Sequence, residues 1–212
     1  MAQAPKSTTV ILVRHGTTPS TGAILPGRAR GLHLSEFGQS QAEAAAMRIA
    51  ELKTKPVAIY ASPLERTRET AAPIAKALGL KTQIARGLLE CDFGTWTGAK
   101  LDRLRKLPEW TRVQNSPSTF RFPEGESFFE MQIRMHDAVT AIAAKHPGKT
   151  VICVSHADPI KAVLASFLGT PLDLFQRITV SPCSQSVVVL GHGAPHVLSV
   201  NATTSLAELV IQ

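Results

Sequence analysis

Cysteine is scarce. Cys91, Cys153 and Cys183 are odd in number, widely separated, and form no Cys-x-x-Cys pair. That excludes a disulfide framework and a thiolate zinc site, and reads as reduced thiols in a cytoplasmic protein. Aromatic residues are also few, at 5% of 212, with one tyrosine and two tryptophans. None of these three is interleaved with a basic run, so the net charge of +7 suits a small anionic substrate better than nucleic acid. No apolar stretch approaches membrane-spanning length, Met1 to Thr9 lacks the hydrophobic segment of a signal peptide, and no repeat is found. The expectation is one cytoplasmic α/β domain without nucleic-acid or membrane partners. Its length suits one generous domain and is short for two.

The most informative stretch is Val10-Ile11-Leu12-Val13-Arg14-His15-Gly16-Thr17-Thr18. Four apolar residues, three of them β-branched, read as a buried strand of a parallel sheet. In open α/β sheets ligands sit beyond the carboxyl ends of the strands, where Arg14, His15 and Gly16 fall. A neutral imidazole can attack phosphorus, a guanidinium can hold phosphate oxygens, and glycine allows close backbone approach. Taken alone, the triplet could equally be the polar end of a core strand.

The remaining chain alternates strand and helix, which favours a mostly parallel sheet. Ser35 caps an expected helix to about Lys53, with Phe37, Ala45, Ile49 and Leu52 inward. Val57–Ala61 is a second strand. Ser62-Pro63-Leu64-Glu65 then reads as a capped helix start, with Leu64, Thr67, Ala71, Ile74 and Leu78 inward and Gly79 as its stop. Thr82–Ala85 is a third strand. Residues 94–127 are irregular and read as a lid or substrate wall, with Trp96, Trp110, Arg112, Phe120 and Arg121 as its exposed candidates. A helix from Ser127 to about Lys145 follows, then a strand Thr150–Ser155 that also ends in a histidine, His156. Asp158 and Pro159 open a further helix, and Cys183–Leu190 with Ala194–Val200 forms an antiparallel hairpin around Gly191-His192-Gly193.

Three strand ends thus carry matching chemistry: Arg14-His15-Gly16, Ser62 to Arg66, and His156-Ala157. Helix starts at Ser62 and Ala157 would add backbone N–H donors for an anion. Neither His15 nor His156 is accompanied by Asp, Glu or Cys at metal-ligand spacing, so no metal or other cofactor is expected.

Leu12-Val13-Arg14-His15-Gly16-Thr17, Ser62-Pro63-Leu64-Glu65-Arg66-Thr67, Leu89-Glu90-Cys91-Asp92-Phe93-Gly94 and Val154-Ser155-His156-Ala157-Asp158 together resemble the histidine phosphatase superfamily, also called the phosphoglycerate mutase-like family. The segment Phe122-Pro123-Glu124-Gly125-Glu126-Ser127 is most similar to its short bacterial branch, whose members are often named phosphomutases by analogy. The resemblance implies a three-layer α/β/α sandwich with a mostly parallel central sheet. It implies a metal-independent phosphatase of a small phosphorylated metabolite, with His15 as nucleophile and Glu90 as proton donor and acceptor. Arg14, Arg66, protonated His156 and the backbone of Ala157 would hold the phosphoryl group, and a homodimer is compatible with it.

A cofactor-dependent phosphoglycerate mutase is the alternative, although such mutases usually have longer chains with added lid segments. A binding module with a degenerate site is the third class, and the intact residue set argues against it. For His15 and His156 the other reading is a hydrogen-bonded core histidine, and for Glu90 an ordinary salt bridge to arginine. Arg68, two residues from Arg66 on one helix, points to nearly the opposite face and reads as a solvated charge. Asp92 reads as structural and His33, His136 and His146 as surface residues, while His192 and His196 flank a turn and read as a plain hairpin in preference to an adventitious metal site. Two positions depart from the family pattern. Thr21 stands where relatives often have asparagine, and its hydroxyl can still donate to phosphate. Arg30 stands where they often have an acid, which with Arg28 points to a second anionic group on the substrate.

Overall fold

The computed structural model describes residues 6–204. Six strands form one mixed sheet: β1 (Thr8–Arg14), β2 (Ala58–Ala61), β3 (Thr82–Ile84), β4 (Thr150–Ser155), β5 (Gln185–Leu190) and β6 (His196–Ala202). Their spatial order is β3-β2-β4-β1-β5-β6. The first four strands in that order run parallel, and β5 and β6 extend the sheet antiparallel beyond β1. The helices are α1 (Glu36–Ala50), α2 (Glu65–Leu78), α3 (Leu101–Leu104), α4 (Pro108–Asn115), α5 (Phe128–Ala144) and α6 (Ala157–Phe167).

Strand alternation sorts the core into two layers. Val10, Leu12, Tyr60, Val151 and Cys153 pack with Met135, Val139 and Ile142 of α5 and with Ile160 and Val163 of α6. Ile11, Val13, Ile59, Ile152 and Val154 turn the other way, onto Ala46 and Ile49 of α1 and Ala71 and Ile74 of α2. The result is the expected three-layer α/β/α architecture. Because both faces are covered, the centres of β1 and β4, Val10–Val13 and Val151–Val154, can be apolar without alternation. Each fully buried branched side chain contributes about 1.5–3 kcal/mol.

Register then decides what lies together at the carboxyl edge. Val13 pairs with Val154, and Val154 with Ala61. The next residues outward, from Arg14 and Ser155 to His15, His156 and Ser62, therefore emerge side by side.

Several boundaries follow from capping. Ser35 caps α1 by accepting from the Gly38 N–H, Ser127 and Glu130 form a capping box on α5, and Gly79 ends α2 at φ 66°. Two expectations fail. Ser62 does not cap α2, which begins at Glu65 with Leu64 at the cap position and no side-chain cap bond. Its hydroxyl is taken by His156 instead. Phe37 is 65% exposed. It lies eight residues before Ala45, about 80° round the helix, while α1 presents the small residues Gly38, Ala42, Ala45 and Ala46 inward.

Residues 94–127 contain α3, α4 and two short 3-10 turns at Gly94–Trp96 and Pro117–Thr119. They do not offer an exposed aromatic wall. Trp96, Phe120 and Phe122 are buried and pack with Phe93, Phe128 and Phe175 as a third apolar cluster, with Trp110 against its edge. Together with Leu104 and Val113 of the same segment, the aromatic rings are consumed as core. Arg121 is engaged by Glu130.

Candidate active site

His15 leaves β1 with its backbone N–H on the Ser155 carbonyl, 3.0 Å away. Its Nδ1 lies 2.7 Å from the Gly16 carbonyl oxygen. A carbonyl can only accept, so Nδ1 carries the proton and Nε2 keeps its lone pair. The loop beyond is fastened on both sides. Gly16 N–H donates to Thr70 Oγ1 at 3.0 Å, and Thr17 N–H to Gln41 Oε1 at 2.9 Å. Glycine is required at Gly16, because a Cβ there would stand 2.5 Å from the Gly38 carbonyl oxygen. Burial first, and Arg66 next, push the His15 imidazole down to about 3. It is therefore neutral at physiological pH, as a nucleophile must be.

The His156 ring stands edge-on to that of His15, with centroids 5.2 Å apart. Its Nε2 is 2.9 Å from Ser62 Oγ, and its Nδ1 is buried without a hydrogen-bond partner. Burial, followed by Arg66 and His15, holds it well below the ordinary imidazole range. That direction favours the neutral ring when no anion is bound, whereas the protonated form is expected of a ring that holds a phosphoryl group.

Arg66 is fully buried. Its Nη2 donates to the Gly27 carbonyl at 2.8 Å, whereas Nε and Nη1 have no partner. Arg14 donates Nη1 to the Val180 carbonyl at 2.7 Å and leaves its buried Nε free. Arg68 is exposed, on the face away from Arg66 as expected.

Glu90 is 7% exposed, with Oε1 accepting from the Cys91 N–H at 3.0 Å. No arginine pairs with its carboxylate among the described residues. Burial, reinforced by the negative charge of Asp158, pushes it up to about 7. A carboxyl poised there can both give and take a proton near neutrality.

Two site expectations are answered differently. Ala157 opens α6 with His156 at the cap position, as expected. Thr21 is exposed, and its hydroxyl accepts from Thr18 N–H at 2.9 Å within its own turn. Nothing in that turn joins Thr21 to the cluster.

Several contributors are invisible in the residue string. Ser62 looks like a helix cap but fixes His156. Arg134 grips Glu126 with two bonds, of 2.8 and 2.9 Å, and also reaches the carbonyls of Gly87, Leu89 and Glu90. Arg28 bridges Glu126 and Asp92, and its Nε donates to the Glu90 carbonyl at 2.9 Å. Two guanidinium groups therefore clamp the backbone of Glu90 from opposite sides in sequence. Glu126 falls in a segment singled out above, but nothing local ties it to Arg134 on the following helix. Among the described residues, no group of three or more His, Cys, Asp or Glu is gathered as a metal cage. No helix among them is long and apolar enough to cross a membrane.

The sequence profile of the histidine phosphatase superfamily, branch 1, matches residues 10–203. The chain is 31% identical over 208 residues to phosphoserine phosphatase 1 of Hydrogenobacter thermophilus, covering 96% of both chains. It is 33% identical over 181 residues to a protein named probable phosphoglycerate mutase from Yersinia pestis, covering 84% of this chain and 83% of that one. In three dimensions it is similar to the Entamoeba histolytica phosphoserine phosphatase bound to 3-phosphoglyceric acid. The TM-score there is 0.82 at 25% identity, over 92% of this chain and 97% of the other.

Proposed function

Because the chain belongs to the histidine phosphatase superfamily, we propose that it hydrolyses a small phosphoric monoester through a phosphohistidine at Nε2 of His15. One observation carries this reading. Four buried nitrogens lack partners: Nε of Arg14, Nε and Nη1 of Arg66, and Nδ1 of His156. Leaving buried donors unmade is costly, and a single tetrahedral anion would satisfy donors of this kind together.

The chemistry follows from the groups present. The Nε2 lone pair of His15 attacks phosphorus as the P–O bond to the leaving group breaks, and Glu90 gives its proton to the departing alkoxide. The charge on the phosphoryl oxygens is neutralised by Arg14 and Arg66, and the incoming dianion raises the proton affinity of His156, which takes a proton from solvent and donates it to a phosphoryl oxygen as a hydrogen bond. Water then attacks the phosphohistidine, Glu90 takes its proton, the N–P bond breaks, and phosphate leaves. Phosphoryl transfer is loose, so positioning and charge neutralisation suffice, which suits guanidinium forks. No metal is needed in this scheme, and EDTA should leave turnover unchanged. The reading assigns the protein a cytoplasmic role on diffusible metabolites, with phosphoserine and 3-phosphoglycerate first in a substrate panel because relatives are named for or bound to them.

The test is acid quenching of the enzyme with ³²P-labelled substrate. An acid-labile, base-stable label on the wild type and none on His15→Ala is the expected result. A stable label on the variant would place the nucleophile elsewhere. The resemblance to a protein named as a mutase favours a second reading. Conversion of 3- to 2-phosphoglycerate outpacing phosphate release would establish it.

A further inference from the structure

At the carboxyl ends of β2 and β3 lies a cavity of about 420 Å³, walled by Arg28, Arg30, Glu65, Arg68, Arg86 and Leu89 among others. Its volume is that of a small-molecule site. The four arginines come from three separate stretches of chain, so their convergence is a product of the fold.

Their pairing states differ. Arg28 is occupied by Asp92, Glu126 and the Glu90 carbonyl. The guanidinium groups of Arg30, Arg68 and Arg86 are exposed, and among the described residues they make no hydrogen bond or ion pair. Glu65 is the one acid in the wall and cannot balance three open guanidinium groups. A concave surface with this excess of fixed positive charge concentrates anions, and planar guanidinium forks match phosphate oxygens.

The cavity is separate from the phosphoryl cluster but shares its scaffold. Glu65 and Leu89 line it while their chain neighbours Arg66 and Glu90 belong to the cluster, and Arg28 belongs to both walls. We infer that this cavity binds a second anionic group of the phosphate class, distinct from the phosphoryl group that is transferred. That group has two sources: the far end of the substrate, which rests on the phosphatase reading above, or a free polyphosphate-type anion, which does not.

The experiment titrates inorganic pyrophosphate into wild type and the double variant Arg68→Gln/Arg86→Gln, with and without saturating orthovanadate to occupy the phosphoryl cluster. The vanadate-loaded wild type should bind pyrophosphate, and the double variant should bind it about tenfold or more weakly. Hydrolysis of p-nitrophenyl phosphate should stay within a fewfold. Arg68→Lys/Arg86→Lys, which keeps the charge but not the fork, should fall between. In a second arm, kcat/KM is compared for a hexose bisphosphate and its monophosphate. A preference for the bisphosphate that collapses in the glutamine variant assigns the site to the substrate; an unchanged preference beside arginine-dependent pyrophosphate binding assigns it to a free anion. Pyrophosphate binding that is absent at millimolar concentration, or equal in both proteins, overturns the inference. Failure of the phosphatase reading would show separately, as a wild type inert toward p-nitrophenyl phosphate, and the arginine dependence of pyrophosphate binding would remain readable.

Discussion

Nδ1 of His156 stands 3.9 Å from Oε2 of Glu90, a gap too wide for a hydrogen bond between two buried groups. The two are held apart by different anchors, Ser62 for the ring and the Cys91 N–H for the carboxyl. The spacing leaves the Glu90 proton unshared with the imidazole, as the proposed proton exchange with a leaving group requires. Since burial raises that carboxyl to about 7, its acid form is present below that pH and lost above it. kcat/KM for an alkyl phosphate should therefore fall as pH rises through about 7. Glu90→Gln should cost about 10²-fold or more on alkyl phosphates and much less on p-nitrophenyl phosphate, whose phenol departs without a proton. Equal losses on both would assign Glu90 a structural role.

The same raised carboxyl makes folding stability depend on pH. The folded protein binds the Glu90 proton more tightly than the unfolded chain does, so this contribution is complete below the unfolded value of 4.5 and disappears as pH rises through about 7. Glu90→Gln, which cannot ionise, should gain stability relative to wild type between about pH 5 and pH 8. Urea midpoints of the two proteins measured across that range check the sign; parallel curves would remove Glu90 from the balance.

Arg66 is expected to be a liability in the absence of an anion. A fully buried guanidinium with two unpartnered nitrogens costs free energy, and an apolar residue of similar length is often tolerated or stabilising at such sites. Arg66→Met should have a melting temperature equal to or above that of wild type in anion-free buffer. Orthovanadate at about 100 times its Kd should stabilise wild type by about 2.7 kcal/mol, which is about 5–10 °C for a domain of this size, and should not stabilise the variant. A large drop in Tm without anion would instead make the Gly27 contact of Arg66 structurally essential.

Arg134 contacts the Glu90 carbonyl and Glu126, so under the proposed mechanism it is expected to position Glu90. Arg134→Met should lower kcat on alkyl phosphates about tenfold, with KM little changed and a smaller effect on p-nitrophenyl phosphate. That dependence on the leaving group is the signature of a misplaced Glu90. A uniform loss on all substrates would indicate general unfolding of the site.

At Gly38 the backbone of α1 comes against the loop that carries His15. A Cβ there would lie 2.0 Å from the Thr17 carbonyl oxygen. Gly38→Ala should destabilise the protein and lower turnover together, because the helix cannot withdraw without breaking the Ser35 bonds to Thr17. Measured Tm and kcat should fall in the same variant, and loss of neither would show that the loop yields.

The strand ends are legible in the sequence because parallel strands place apolar runs next to abrupt polar stops. Arg14-His15 and Ser155-His156 stand out for that reason alone. The two faces of the sheet follow equally from alternation at positions such as Val10 and Ile11. What is illegible depends on distance across the fold. Ser62 has a good cap sequence, yet a buried histidine 94 residues away claims its hydroxyl. Phe37 looks like core, yet the helix turns its alanine and glycine face inward. Arg134 carries no local sign that it will brace Glu90, and Arg68 reads as a solvated charge until Arg30 and Arg86 are found round the same cavity.

The aromatic cluster under residues 94–127 also decides what light can report. Both tryptophans of the chain, Trp96 and Trp110, belong to it, whereas the single tyrosine, Tyr60, packs in the sheet core against His146. Tryptophan emission therefore samples one region and far-ultraviolet dichroism samples the sheet and its helices. A denaturation in which the two signals part company would reveal the aromatic region loosening first. A ligand that shifts emission without altering dichroism would be touching that region while the catalytic sheet stands still.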